Sequence, residues 1–550
     1  MRFSSFRRWA AGAAGVWLLL GCALGLQARG QATPETAQET ADAGRGRILL
    51  VQPFDNRTGQ PSLDWVREAA AEILSSRFTS AGFAPLSRED RVYALDHLGL
   101  PEGFQPSRAS SLKLAQTLDA DSIVVGSYVT DGTSLVAFAR VVDVPHLRMI
   151  DEVSVRGEMR DLIAVFDSLA WKVTRELEPG FGGSEETFVA AGRGVRLDAF
   201  EQYIRGITEP DHDERLRHLN NAVRLSPDFG PAWMALGRED YAGQQYEEAA
   251  AAFAKVGRND PNALEAGFYR GLSLLFSGSY PQAEAAFKGV AMVLPLAEVL
   301  NNEGVAVSRD GHDGSAQFVA AETADPNQAD YHFNLAVSLK RRGEINAALA
   351  ELGQCVKLRP NDTEALGLEK EWREPAAAVR TVSGGNTDAE ANPDPLERIV
   401  RSFDAVAFRQ AAGMMDQMET ARLAELSPRD RAVKLAAQAK DYLDRGLLLE
   451  AERLYQMAVA TDGSVAEAHV GLAEVRERSG DAASARTEAK AALELKPVAE
   501  AYLVLGRLDL AANHLDEAGK EAGEALKLDP RSAAAQDLSR KIALKTSGKL

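Results

Sequence analysis

Between residues 47 and 178 the chain switches repeatedly between strand-like and helix-like patterning. Ile48-Leu49-Leu50-Val51-Gln52-Pro53-Phe54 is a short apolar run closed by Asp55-Asn56-Arg57-Thr58-Gly59, which predicts a buried strand entering a tight turn. Pro53 has no ladder donor and belongs at the strand's end. Leu63, Val66, Ala70, Ile73, Leu74 and Phe78 then recur at helical spacing, and further helices are expected over about 88–98 and 108–118. Ser122 to Tyr128 reads as a second buried strand, Leu135–Val142 and Met149–Val155 as a hairpin pair, and Leu162–Leu177 as a closing helix. Pro179-Gly180-Phe181-Gly182-Gly183 marks the exit. Asp55, Asn56 and Gly59 suit the turn better than a polar site, because Gly permits positive φ and Asn or Asp bonds its own backbone.

Beyond residue 195 the pattern is helical and repeats itself. Pro227, Pro261, Pro295, Pro326 and Pro360 stand at steps of 34, 34, 31 and 34 residues, the period of a stacked helix pair. Trp233, Leu236, Gly237, Ala249 and Phe253 precede Pro261 at set offsets; Gly271, Ala283 and Phe287 precede Pro295 likewise, and Leu335, Ala336, Ala348 and Leu352 precede Pro360. Residues 196–229 form a degenerate first unit without the glycine, and the unit ending at Pro326 is shortened. Each unit is too thin to bury its apolar face alone, small residues admit the partner helix, and proline stops the second helix.

Residues 373–395 turn to Pro, Ala, Ser, Gly, Asn and Asp and read as a flexible linker. Ile399, Val400, Phe403, Val406 and Ala407 then form an apolar stripe, which predicts that helices resume near Leu396, with Met414, Met415 and Met418 as core filler. A second array follows. Ala439, Tyr442, Ala451 and Tyr455 fit one unit, Leu472, Ala473, Ala485 and Pro497 a second, Leu505, Gly506, Ala518 and Pro530 a third, and Ala533–Lys545 a terminal cap.

The offsets in both arrays resemble the tetratricopeptide repeat. The stretch Val51-x-Pro53-Phe54-x-Asn56-x-Thr58-Gly59, with Asp121-Ser122-Ile123-Val124-Val125-Gly126-Ser127, resembles the TolB N-terminal-like domain, which implies a docking module without chemistry of its own. The expected architecture is therefore a small mixed α/β domain over 46–180 and an all-α solenoid in two arrays. The first covers 196–372 with about five repeats. A linker over 373–395 and a helical insert over 396–430 lead to the second, 431–545, with about three repeats and a cap. The tetratricopeptide resemblance implies a concave groove, lined by the first helix of each pair, that holds a partner's peptide. Carried over here, the groove candidates are Met234, Arg238, Tyr241, Phe268, Leu272, Leu275, Phe276, Asn334, Lys340 and Arg341. The early groove would be apolar and aromatic and the later part basic. Some family members clamp a terminal carboxylate with Lys, Asn and Arg on successive first helices. Here Asn334, Lys340 and Arg341 share one repeat, so the set is incomplete, and Lys340 and Arg341 suit a helix C-terminus.

The head of the chain carries Arg2, Arg7 and Arg8 before an apolar stretch from Trp9 to Leu26, the order of an export signal over 1–28 with a tether over 29–45. Leu19-Leu20-Gly21-Cys22 resembles a bacterial lipobox, which implies membrane attachment through a lipidated Cys22. Cleavage after Ala28 or Ala32, or an uncut anchor, are the alternatives, and each places the protein in the envelope: exported, in the periplasm or at the outer membrane.

Composition narrows the function classes. Lys and Arg number 62 against 80 Asp and Glu, a net charge of −18, and with no basic stripe nucleic acid is not an expected partner. Two cysteines, Cys22 and Cys355, exclude a disulfide framework. The eight histidines form no His-Glu-x-x-His, and the chain lacks a phosphate-cradling glycine loop and a Gly-x-Ser-x-Gly elbow. No catalytic, cofactor or metal residue is singled out. The reading is a non-catalytic exported scaffold that binds proteins or peptides in its groove. The alternative is a ligand-sensing accessory of an envelope enzyme, or of a secretion or polysaccharide-export assembly.

Overall fold

The computed structural model describes residues 48–101, 107–373, 395–403, 418–419 and 421–547. The leader with Cys22, the tether, most of the 373–395 linker, and Met414 and Met415 lie outside the described residues.

The described head contains β1 (Ile48–Val51), β2 (Asp55–Asn56), β3 (Ala84–Pro85), β4 (Ser122–Thr130), β5 (Ser134–Asp143), β6 (Arg148–Met149) and β7 (Val153–Glu158). They form one sheet in the order β3-β1-β4-β5-β6, with β2 also beside β4 and β7 beside β5. β1 pairs with β4 in parallel, Leu50 opposite Ile123, and β4 pairs with β5 antiparallel, Val125 opposite Arg140. Both faces of β1 are covered, which is why its apolar run is continuous rather than alternating. Helices Val66–Ser80 and Leu162–Leu177 close one face, where Leu74, Phe78, Phe166 and Leu169 pack on Leu49, Val51 and Val124. Helices Arg88–His97 and Arg108–Thr117 close the other, where Ala94, Leu95 and Leu114 meet Leu50, Ile123 and Val142. The expected strand Met149–Val155 is divided between β6 and β7, which are separate partners of β5.

Past the head, helices pair as 197–208 with 212–225, 230–242 with 246–253, 263–276 with 280–291, 297–309 with 315–324, and 329–341 with 345–358; Thr363–Arg373 closes the series. A β-carbon on Gly271 would lie 2.7 Å from the buried Phe287 ring, so glycine is what lets the two helices of that pair touch. Another device recurs. Trp233 Nε1 donates to Pro227 O at 2.7 Å, His332 Nε2 meets Pro326 O at 3.0 Å, and His469 Nε2 meets Gly463 O at 3.1 Å. Each time, a ring nitrogen satisfies a carbonyl six residues back, in the turn before its helix.

The first array grows directly out of the head's core: Phe200, Ile204 and Leu219 belong to the same apolar cluster as Leu74 and Phe166. Arg238 adds an ion pair to Glu89 of the head at 2.8 Å. The second array pairs 428–444 with 448–461, 466–479 with 482–495 and 499–511 with 515–528, and ends on Ala533–Thr546. It docks on the segment leaving the head. Gln456 Nε2 donates to Gly182 O at 2.7 Å, Ser184 N–H to Glu452 Oε2 at 3.2 Å, and Arg193 Nη2 to Ser479 O at 2.9 Å.

One expectation fails outright. Helix does not resume at Leu396; residues 395–403 are non-helical, and their apolar side chains and main chain are engaged by the first array instead. Met418 is 72% exposed, not core.

Candidate functional site: a groove filled by residues 395–403

The first helices of consecutive pairs present one face each to a common furrow. On Ala297–Arg309 that face carries Asn301, Asn302, Val305, Ser308 and Arg309; on Ala329–Arg341 it carries Asp330, Phe333, Asn334 and Arg341, residues three, four and seven apart. Along the furrow lies the chain's own segment 395–403.

Its main chain is held by asparagines. Asn334 accepts the Arg398 N–H through Oδ1 at 2.6 Å and donates Nδ2 to Arg398 O at 2.8 Å. Two residues on, Asn302 accepts the Val400 N–H at 3.0 Å and donates to Val400 O at 2.7 Å. Asn301 links the two, donating to Arg398 O at 3.1 Å and to Asn302 Oδ1 at 3.2 Å while accepting from Asn334 at 2.8 Å. All three amides have no solvent exposure, and the network satisfies each of them. A carboxamide here does what a neighbouring strand would do, pairing alternate residues of an extended chain.

Side chains of the segment enter pockets of opposite charge. Glu397 is 3% exposed; Ser308 Oγ and Arg341 Nη1 donate to its carboxylate, and Arg309 Nη2 donates to its carbonyl at 3.1 Å. Arg398 goes to an acidic pocket. Its guanidinium lies 2.5 Å from Asp362, 3.0 Å from Asp330 and 2.8 Å from Glu364, and stacks 3.6 Å from the centre of the Phe333 ring. Burial works against that charge, but the carboxylate hydrogen bonds outweigh it and raise the guanidinium's pKa; Arg398 in turn holds Asp362 below the usual carboxylate range. Farther along, Arg401 lies over the Phe276 ring at 5.1 Å and Phe403 meets Phe268 at 5.5 Å. Among the described residues a cavity of about 630 Å³ lies beside Leu396 and Glu397, lined by Ser308, Arg309, His312, Ser338, Arg341 and Arg342 among others.

The sequence candidates divide. Phe268, Leu272 and Leu275 are buried in a cluster that Ile399 and Phe403 close over, and Phe276 is part of the same floor. Tyr241 sits in an aromatic group with Tyr246, Tyr269 and Phe276. Asn334 and Arg341 hold the segment directly. Met234 is core, packed with Phe253, and does not line the furrow. Arg238 is paired with Glu89 and Glu265. Lys340 turns away to the Trp372 ring at 5.2 Å. The later groove is not simply basic, since Asp330, Asp362 and Glu364 form its pocket for Arg398. Arg341 also does more than balance a helix terminus: with Ser308 and Arg309 it grips a carboxylate. Asn301, Asn302, Ser308, Arg309 and the three acids were not among the candidates. The available signal was Asn301 to Asn334 and Ser308 to Arg341, both 33 residues apart.

Two other groups resolve into structure. Glu322, His332 and Glu351 bring potential ligand atoms within 4.8 Å, but both ring nitrogens of His332 are engaged, one by Pro326 O and one by Glu351 at 2.8 Å. His469 repeats the pairing of ring and acid with Glu488 at 2.7 Å, so the His332–Glu351 contact belongs to the repeat. Burial pushes the Cys355 thiol up to about 11, which keeps it protonated and inert at neutral pH.

Tetratricopeptide-repeat family models match residues 217–292, 436–500 and 329–362. The chain is similar to anaphase-promoting complex subunit 3 of Schizosaccharomyces pombe, 30% identical over 90 residues, which are 16% of this chain and only 14% of that protein. Among solved structures it is similar to MamA 41-end from Desulfovibrio magneticus RS-1 (22% identity, 31% of this chain and 99% of that one, TM-score 0.28). It is also similar to the LpoB C-terminal domain from Escherichia coli (20% identity, 23% and 94%, TM-score 0.19). By the family models that match them, residues 217–292, 329–362 and 436–500 are tetratricopeptide repeats.

Proposed function

We propose that the protein is a non-catalytic scaffold whose first array holds an extended peptide segment of a partner protein. The observation that carries this reading is the pairing of both main-chain groups of Arg398 and Val400 by Asn334 and Asn302, a device that recognises extended backbone and performs no chemistry. The α/β head serves as a docking module. The leader with Arg2, Arg7, Arg8 and Cys22 supports export to the bacterial envelope, with a lipid on Cys22 or as a soluble periplasmic protein. No described helix is long and apolar enough to cross a membrane.

A photo-reactive amino acid placed at Phe276 in the full chain, expressed in its native cells, tests the groove. Discrete crosslinked partner adducts are expected, and in an Arg398→Glu background, where the chain's own segment is repelled from the groove, Asn302→Ala should reduce them at least tenfold. Adducts indifferent to Asn302→Ala in that background would remove the groove from partner binding.

A further inference from the structure

We infer that residues 395–403 are a tethered stand-in for the partner, so that the partner is an extended peptide with an acidic residue immediately before an arginine and binds by expelling the segment. This rests on the groove reading above and specifies its ligand.

The asparagine pairing takes no account of side chains, so selectivity must come from what flanks it. Adjacent residues of an extended chain point to opposite sides. Glu397 and Arg398 accordingly enter separate pockets, one built from Ser308, Arg309 and Arg341, the other from Asp330, Asp362 and Glu364 over Phe333. Both pockets belong to the array rather than to the segment. Asp330, for one, is also held by Arg359 at 2.8 Å. A peptide with the reverse order would bring a cation to Arg341 and an anion to Asp362, a like-charge clash in both places.

Emptying the furrow without a replacement is costly. Asn301, Asn302 and Asn334 would give up their bonds to Arg398 and Val400, and Asp330, Asp362 and Glu364 would lose the Arg398 guanidinium, with Arg359 left beside the first two. Exchange for a second chain of like chemistry avoids that cost. Among the described residues the segment leaves such a rival something to gain, since Leu396 is 65% exposed and the cavity of about 630 Å³ beyond Glu397 is open. A partner whose chain runs on past its acidic residue fills that cavity and makes contacts the segment does not make.

The test is a fluorescent peptide, Pro-Leu-Glu-Arg-Ile-Val-Arg-Ser-Phe, titrated by anisotropy into the full-length protein. Wild type should bind it at least tenfold more weakly than Arg398→Glu, which repels its own segment, and than Val400→Pro, which removes a single donor from a non-helical stretch and spares the fold. A peptide with Glu and Arg exchanged should bind these variants at least tenfold more weakly than the first. Equal affinity for wild type and both variants would overturn the stand-in while leaving the groove reading intact. Equal affinity for the two peptides would overturn the charge order. No binding to any form would overturn the groove reading and this inference together. A concentration-dependent dimer of wild type, absent in Val400→Pro, would show the segment seated in a second copy and overturn the tethered arrangement.

Discussion

An asparagine side chain offers a carbonyl and an N–H₂ in the geometry of a peptide unit, and Asn334 uses both on one residue, Arg398, while bracing Asn301 with its second hydrogen. Asn334→Ala removes the acceptor of the half-buried Arg398 N–H and one of the two amide donors to Arg398 O, a loss of about 1–3 kcal/mol. Hydrogen exchange at the Arg398 and Val400 amides should accelerate roughly ten- to hundredfold; unchanged protection would mean that the amides do not secure the segment. Asn334 was legible from the repeat offsets, but Asn302 was hidden by the shortened step to Pro326. Had the units been aligned on Gly271, Gly304 and Ala336, Asn302 and Asn334 would both have fallen two positions before the small residue. Proline marks where a helix stops, and that point shifts with the turn. The small residue marks where two helices touch, and that point does not.

At the scale of elements, long periodic stretches could be read directly and short ones could not. The helices with repeated apolar faces follow their sequence pattern, whereas Ile399, Val400 and Phe403 mimic a helical stripe over a stretch too short to fix a period. What decides the conformation there is the supply of hydrogen-bond partners on other helices, which no local pattern records. The same limit hid the link between helices Val66–Ser80 and Leu162–Leu177, where Arg77 Nε donates to Asp167 Oδ1 at 2.7 Å. Asp167 has no exposure, and burial pushes its carboxyl from 3.8 up to about 6 despite the opposing pull of Arg77. Between those values the unfolded chain has released a proton that the folded one keeps. Stability from this group is therefore full below pH 4 and declines as pH rises toward 6, by at most about 1.4 kcal/mol per pH unit. Asp167→Asn cannot ionise, so the urea midpoint of wild type relative to this variant should fall between pH 4 and 7. A constant difference would rule out the raised value.

The whole molecule is organised around the short passage from head to first array, residues 182–193, onto which the second array folds back. The sequence shows this passage only as a glycine-rich exit, because its partners lie more than 260 positions away. Glu452 is the centre of the joint: its side chain is 1% exposed, and it lies 2.6 Å from Arg476 and accepts the Ser184 N–H. Glu452→Ala takes the buried carboxylate from Arg476, which keeps Asp481 at 3.2 Å, and leaves the Ser184 N–H without this acceptor, at a cost of about 1–3 kcal/mol. In calorimetry the second array should then melt separately, below the rest of the chain. One undivided transition at the wild-type temperature would show the joint to be dispensable.

The covalent tie between the furrow and its occupant sets a threshold. A ligand carried on the same chain is present at an effective local concentration of about millimolar, however dilute the protein. A rival at micromolar abundance must overcome that advantage of about a thousandfold, and can do so through contacts beyond the two charged pockets or by arriving in several linked copies. Scarce or partial matches would pass without effect, and only a well-fitted or crowded partner would be retained.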